Sequence, residues 1–494
     1  MKVCWERHPS QGTGAGQAAM ASCSCRSARG VCAVLLLCYV CAVAGLGPRR
    51  LRAAPLRAEP AAGLKGFTSF VRQNPQSDKI PAQRFHHVEF YCADARTTSS
   101  RFQSGLGMEL AAKSDQSTGN ALHASYALQS GEMRMLFTAP YGTTSTTLLS
   151  QFSPVLPGDL SPGNLQQFTL KHGLAVRAVA IEVSDVAAAH ATIIKNGGTS
   201  VVAPCTIYDD NGQGEVELAE VALYGDVVLR LLDSSRFTGA FLPNFASLPG
   251  SRRLPLDGDG DGDGDGGGGQ VRRGFGLERF DHIVGNLWAL EPTASRLRSM
   301  TGFHDFAEFV AEDVGTVDSG LNSVVLANNN EMVLLPLNEP TFGTKRKSQI
   351  QTYLEQNNGE GVQHMALFTS DIFATMKSMR AAMGGFEFMD PPGDAYYASV
   401  RQRLGASLSE EQYRRIQELG LLADEDDQGV LLQVFTKPVG DRATLFLEII
   451  QRIGCLVPGA SPPIQKPGCG GFGKGNFKDL FKSIEEYEAT LRGI

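Results

Sequence analysis

Leu445-Phe446-Leu447-Glu448-Ile449-Ile450 reads as a strand buried on both faces, and it carries one carboxylate with no Lys or Arg before Arg452. An ionised carboxylate in such a run is strongly disfavoured unless something positive faces it. Two other apolar runs each hold one unexpected histidine, Phe280-Asp281-His282-Ile283-Val284 and Gly361-Val362-Gln363-His364-Met365-Ala366-Leu367. Two histidines and one carboxylate on three separate strands form the ligand set of a facial-triad Fe(II) oxygenase. The residues alone leave a second reading open, in which Glu448 meets an arginine from elsewhere in the core.

The halves of the chain repeat one another. Phe85-His86-His87-Val88 matches Phe280-Asp281-His282-Ile283, and Val176-Arg177-Ala178-Val179 with Ser184-Asp185-Val186 matches Val362-Gln363-His364-Met365 with Ser370-Asp371-Ile372. Val228-Leu229-Arg230-Leu231-Leu232 matches Phe446 to Ile450. Strand, helical stretch (Val186 to Asn196; Ile372 to Ala382) and further strands then recur as four βαββ-type modules, two per half. The three marked positions read His87, Ala178 and Arg230 in the first half, so only the second half can hold the same ion. The last two positions run from 178 to 230 in the first half and from 364 to 448 in the second, which marks an insertion. Much of it reads as a helix from Leu408 to Leu419, opened by the capping box Ser407-x-x-Glu410 and closed by Gly420, and placed as a lid.

A chain of 494 residues calls for two domains plus extensions. Its 42% hydrophobic and 20% charged residues are ordinary for a globular protein, and a net charge of −7 with no basic tract excludes a nucleic-acid surface. Cys4, Cys23, Cys25, Cys32, Cys38 and Cys41 crowd the start, which leaves Cys92, Cys205, Cys455 and Cys469 widely spaced. Neither a disulfide framework nor a zinc site is expected there. Residues 1–62 are basic with an apolar stretch from Val31 to Gly47, short for a span, and read as a targeting-like or disordered extension. The Asp-Gly repeat from Asp257 places no glutamate at position 12 of any calcium-loop frame, so residues 251–275 read as a solvated linker. Gly468-x-x-x-x-Gly473-Lys474 imitates a phosphate loop but lacks the following Ser or Thr, which argues against a nucleotide site.

The run Asn338-Glu339-Pro340 with Gly343-Thr344-Lys345-Arg346-Lys347-Ser348-Gln349-Ile350-Gln351-Thr352-Tyr353-Leu354 resembles the 4-hydroxyphenylpyruvate dioxygenases. So do Asp427-Gln428-Gly429, Gln433-Val434-Phe435-Thr436-Lys437-Pro438, Glu448-Ile449-Ile450-Gln451-Arg452 and the tail Gly470-Gly471-Phe472-Gly473-Lys474-Gly475-Asn476-Phe477. The resemblance runs from about Phe67 to the C-terminus and is to the plant and algal type. It implies the vicinal-oxygen-chelate fold, shared with glyoxalases and extradiol dioxygenases. This is an α+β architecture of two domains, each of paired βαβββ modules forming an open barrel, plus a C-terminal helix. The domains fall at 80–250, non-catalytic, and 276–494, catalytic.

The resemblance further implies one Fe(II) per chain on His282, His364 and Glu448. Ser323, Asn338, Gln349 and Gln433 would orient polar groups of the substrate, with Phe435 and Phe472 sandwiching its ring. Phe446 shares a face with Glu448 by strand parity, as Gln433 does with Phe435. Gln363 also matches a pocket residue, although strict alternation turns it away from His364. The segment from Asn476 to Leu491 reads as an amphipathic helix capped by Asn476, with Phe477 and Phe481 as a gate over the pocket.

The implied activity converts 4-hydroxyphenylpyruvate and O2 to homogentisate and CO2. It belongs to tyrosine and phenylalanine catabolism and to the supply of plastoquinone and tocopherol precursors. A homodimer without a stable membrane anchor, in the cytoplasm or a plastid, is expected. The rival readings are 4-hydroxymandelate synthase, which hydroxylates the benzylic carbon instead, and a non-catalytic binding member of the fold.

Overall fold

A computed structural model describes residues 64, 66, 69–142, 162–248, 274–314, 319–456 and 465–491. The N-terminal extension read at 1–62 lies outside the described residues, as does the Asp-Gly repeat. The first half builds β1 (Ala82–Tyr91), β2 (Glu109–Ser114), β3 (His123–Ser130), β4 (Met133–Pro140), β5 (Ala175–Val183), β6 (Ser200–Tyr208), β7 (Glu215–Tyr224), β8 (Val227–Asp233) and the short β9 (Ala246–Ser247). The second builds β10 (Leu277–Asn286), β11 (His304–Phe309), β12 (Leu321–Ala327), β13 (Leu334–Pro340), β14 (Gly361–Thr369), β15 (Leu422–Glu425), β16 (Gly429–Phe435) and β17 (Phe446–Gly454).

The sheet orders are β6-β7-β8-β5-β1-β4-β3-β2-β9 and β11-β12-β13-β10-β14-β17-β16-β15. Each sheet is two mirrored modules joined through their first strands, which pair antiparallel as β1 with β5 and β10 with β14. Within every module the first strand also pairs parallel with the fourth, and a parallel pair needs a crossover. The crossing helices are α1 (Ala95–Leu106), α2 (Val186–Lys195), α3 (Leu290–Thr301) and α4 (Ile372–Ala381). Asp185 caps α2 through Ala188 N–H and Asp371 caps α4 through Ala374 N–H, so the matched Ser-Asp pairs start matched helices. The modules are therefore βαβββ.

The core runs through both sheets, with all nine residues of β14 and the first five of β17 buried. Such continuous burial explains why these strands read as unbroken apolar runs instead of alternating ones.

Three local expectations need correction. The insertion forms two helices, α5 (Asp394–Leu404) and α6 (Glu410–Glu418), and the cap of α6 is Ser409, boxed with Gln412. Ser407 instead donates from its hydroxyl to Glu425. A polar residue three before another fits several registers, and the backbone turn at Leu408 selects the later one. The C-terminal helix α7 (Lys474–Leu491) begins two residues before Asn476. Asn476 is buried and accepts from Tyr396 Oη at 2.7 Å, so it braces the helix against α5 and does not cap it. Finally, Cys455 and Cys469 form a disulfide. The chain returns past the end of β17 and brings together two cysteines whose spacing matches no motif.

Candidate metal centre and its pocket

His282 lies on β10, His364 on the neighbouring β14 and Glu448 on β17 beyond it. The register sets His282 opposite Ala366, and Ala366 opposite Glu448. His364 is two residues from Ala366 and so points to the same face. Their ligand atoms all lie within 4.8 Å of one another, and all three residues are buried. Both imidazoles aim Nε2 at Glu448 Oε2, at 3.2 Å from His282 and 3.4 Å from His364.

The outward Nδ1 atoms are each held by an acceptor. His282 Nδ1 donates to Asp281 Oδ1 at 2.8 Å, and His364 Nδ1 donates to Gln363 Oε1 at 3.0 Å. An acceptor on Nδ1 fixes the proton there and leaves the Nε2 lone pair facing inward, the tautomer that a metal takes. Glu448 Oε1 is buried without a hydrogen-bond partner. A stranded carboxylate oxygen between two inward lone pairs is poorly satisfied by protein alone, and a divalent cation there satisfies all three. The donor set fits a hard-to-borderline metal of the non-haem iron kind.

The electrostatics agree. Burial alone pushes Glu448 up, but the two imidazoles outweigh it and hold its carboxyl below the usual range. Burial likewise pushes His282 down, yet Glu448 and Asp281 prevail and raise it. His364, without a second carboxylate, stays lowered by its burial. Arg452, the nearest cation in sequence, pairs with Asp281 at 2.7 Å and not with Glu448. Among the described residues the ion-pair partners of Glu448 are His282 and His364, and no arginine from elsewhere in the core pairs with it.

A narrow cleft opens beside the triad, walled by Val284, Phe309, Val325, Pro336, Ile450 and Leu480. Of the residues expected in the pocket, Ser323, Asn338, Gln433, Phe435 and Phe472 line it. Ser323 and Asn338 are register partners, and Gln433 and Phe435 alternate on β16 beside Glu448 and Ile450. The others lie elsewhere. Phe446 stacks on the His364 ring, with centroids 4.8 Å apart, and so backs the ligand. Gln363 holds His364 from behind. Gln349 is buried at the start of the helix Gln349–Gln356 and does not line the cleft. Phe477 and Phe481 lie on α7, but their side chains are outside the described residues. The α5–α6 insertion contributes no lining residue among those described. It reaches α7 and β15 through Tyr396 and through Arg403, which binds Asp424 at 2.6 Å, so it buttresses the wall and is not a lid.

The glycine-rich tail is a packing device. Gly468 has φ +66° and a Cβ there would fall 2.3 Å from the Phe306 ring, while one at Gly473 would fall 2.7 Å from Gln433 Nε2. These turns bring Phe472 edge-on to His282, with centroids 4.9 Å apart.

No family model matches the chain. The 4-hydroxyphenylpyruvate dioxygenase of Daucus carota is 54% identical over 432 residues, which is 87% of this chain and 92% of that protein. The enzyme of the same name from Arabidopsis thaliana is 49% identical over 443 residues, covering 88% and 94%. The chain belongs to the 4-hydroxyphenylpyruvate dioxygenase family. Among solved structures, a triple mutant of 4-hydroxymandelate synthase from Streptomyces coelicolor matches at TM-score 0.63 and 23% identity, over 83% of this chain and all of that one. That likeness carries the fold alone, the two-domain vicinal-oxygen-chelate architecture.

Within this family fold the first half holds a different cluster at the matching positions. Arg230, opposite Ala180 as Glu448 is opposite Ala366, donates to Glu220 at 2.8 Å, Glu89 at 2.7 Å and His87 at 2.8 Å. All are buried, and a guanidinium thus fills the space that the triad leaves open in the other half.

Proposed function

We propose that this chain is an Fe(II)-dependent dioxygenase that converts 4-hydroxyphenylpyruvate and O2 to homogentisate and CO2, by oxidative decarboxylation, ring hydroxylation and side-chain migration. The observation that carries the reading is the buried His282–His364–Glu448 cluster, with its stranded Glu448 oxygen, opening onto a largely apolar cleft in a chain of this family. Fe(II) held there would supply Lewis acidity for an α-keto acid and a site for O2 chemistry.

The chain's residues supply placement. His282, His364 and Glu448 would hold the ion, next to the cleft where substrate would bind. Phe435 and Phe472 offer aromatic faces to the ring, and Ser323, Asn338 and Gln433 offer hydroxyl and amide groups to its polar ends. Val284, Phe309, Val325 and Ile450 keep water from the reacting carbons. Gln363 acts on His364 and Phe446 supports its ring, and the gate role expected of Phe477 and Phe481 is part of the proposal. The reaction serves tyrosine and phenylalanine catabolism and the supply of plastoquinone and tocopherol precursors.

We further propose a homodimer acting in the cytoplasm or a plastid. Among the described residues no helix is long and apolar enough to cross a membrane. Anaerobic Fe(II) titration followed by O2 uptake and product analysis tests the whole reading. One Fe(II) per chain and homogentisate support it. Accumulation of 4-hydroxymandelate would overturn the reaction, and absence of uptake would leave only ligand binding.

A further inference from the structure

Arg452 is completely buried, and every nitrogen of its guanidinium is engaged. Nε and Nη2 grip Asp281 at 2.8 and 2.7 Å, while Nη1 donates to the carbonyls of Cys469 at 2.5 Å and Gly471 at 2.7 Å. The Asp281 oxygen that accepts from Nη2 is also the one that accepts from His282 Nδ1. The two carbonyls belong to the turn that presents Phe472, whose ring packs against His282. One side chain therefore reaches a metal ligand through its orienting carboxylate, and the pocket wall through the backbone that carries it.

A core ion pair made only for stability is a poor bargain, because apolar residues of like volume serve as well or better. What the pair uniquely provides is geometry. A planar fork with five donors serves a carboxylate on one edge and two carbonyls on the other, which a single ammonium does not. The matching positions of the first half carry His86 in place of Asp281 and Ser234 in place of Arg452, so the half without the triad also lacks this device.

We propose that Arg452 is a positioning residue that locks the Phe472 turn to His282, so that ordering of the metal site and shaping of the substrate pocket occur as one unit. The inference rests on the dioxygenase reading above. Asp281 is the relay. Its carboxyl would be pushed up by burial, but Arg452 and His282 hold it well below the usual range. Cys469 is disulfide-bonded to Cys455, which anchors the far end of the same turn to the end of β17.

The test uses the full chain with Co(II) as an O2-stable probe of the metal site. Arg452→Lys keeps a cation opposite Asp281 but gives up the carbonyl contacts. It should retain Co(II) affinity within about threefold and raise KM for 4-hydroxyphenylpyruvate about tenfold, with kcat less affected. The pair Asp281→Asn with Arg452→Gln removes both partners of the fork together, leaving only the partly exposed Arg279, 3.6 Å from Asp281, without this carboxylate, and should also weaken Co(II) binding, by about tenfold. Phe472→Leu should raise KM in the wild-type background and add little in Arg452→Lys, since the turn is already released. Full additivity in that cycle, or wild-type KM in a folded Arg452→Lys protein, overturns the proposal. A wild-type chain that binds no Co(II) and consumes no O2 overturns the reading of the site itself, a result distinct from either.

Discussion

Gln363→Leu separates two roles for one buried amide. The side chain is on β14 next to His364, its Oε1 3.0 Å from His364 Nδ1, and it does not line the cleft. Leucine keeps roughly the volume and removes the acceptor. The lost neutral hydrogen bond is worth about 1 kcal/mol net, which corresponds to about fivefold in affinity for a metal at the other ring nitrogen. Orienting partners of metal-bound histidines reach about 10- to 100-fold where the ring also changes tautomer, so a loss of 5- to 50-fold in Co(II) affinity is expected. The stranded N–H also costs about 1–3 kcal/mol of stability, a fall of several degrees in Tm. Anaerobic calorimetric titration with Co(II), beside steady-state O2 uptake at saturating metal, measures both effects. KM at saturating metal should stay within about twofold of wild type. Unchanged Co(II) affinity with a tenfold rise in KM would mean that Gln363 touches substrate, and the orienting role would be refuted.

Glu448→Ala should abolish stoichiometric Co(II) binding at micromolar concentrations and all O2 uptake, since two neutral imidazoles remain; retained turnover would show the ion to be elsewhere. Metal affinity should depend on pH through His282, whose pKa is raised and whose proton must leave before Nε2 can bind. Below that raised value affinity should fall about tenfold per pH unit, and calorimetry in buffers of different ionisation enthalpy should register one released proton. In the metal-free protein the same group stabilises the fold fully below about pH 6.5 and ceases to do so as pH climbs through the raised value. Glu448, held low, contributes above its unfolded value of about 4.3 and loses this as pH falls. Arg230→Met should destabilise the first half by about 3–5 kcal/mol in urea melts, because it leaves Glu89 and Glu220 buried without their cation. Wild-type stability there would show that cluster to be idle.

The cluster was legible because each of its residues is an electrostatic anomaly in an apolar strand, and the repeat told which half could hold a metal. Asp281 is as anomalous as Glu448 and stands next to a ligand, yet a stray charge announces the need for a partner without naming it. Arg452, in the same strand as Glu448, is the partner of Asp281, which only the sheet pairing reveals. Strand alternation correctly turned Gln363 away from the cleft, but parity says nothing about an imidazole whose second nitrogen reaches back to its neighbour. The backing role of Phe446 was missed for a related reason: parity gives a face, and packing decides whether a ring on that face lines a cleft or lies flat on His364. The Cys455–Cys469 bond and the inward turn of Asn476 depend on where the tail returns to the sheet, a long-range contact that local pattern does not encode.

Arg230 makes the asymmetry of the two halves hard to reverse. Building a metal site into the first half needs a histidine at Ala178, a carboxylate at Arg230, and new partners for Glu89 and Glu220. The first of these changes adds a ring to a packed strand already holding a guanidinium, and the second alone gathers three buried acids. With an arginine where the other half has a carboxylate, the difference between the halves is built into the stability of the first half itself.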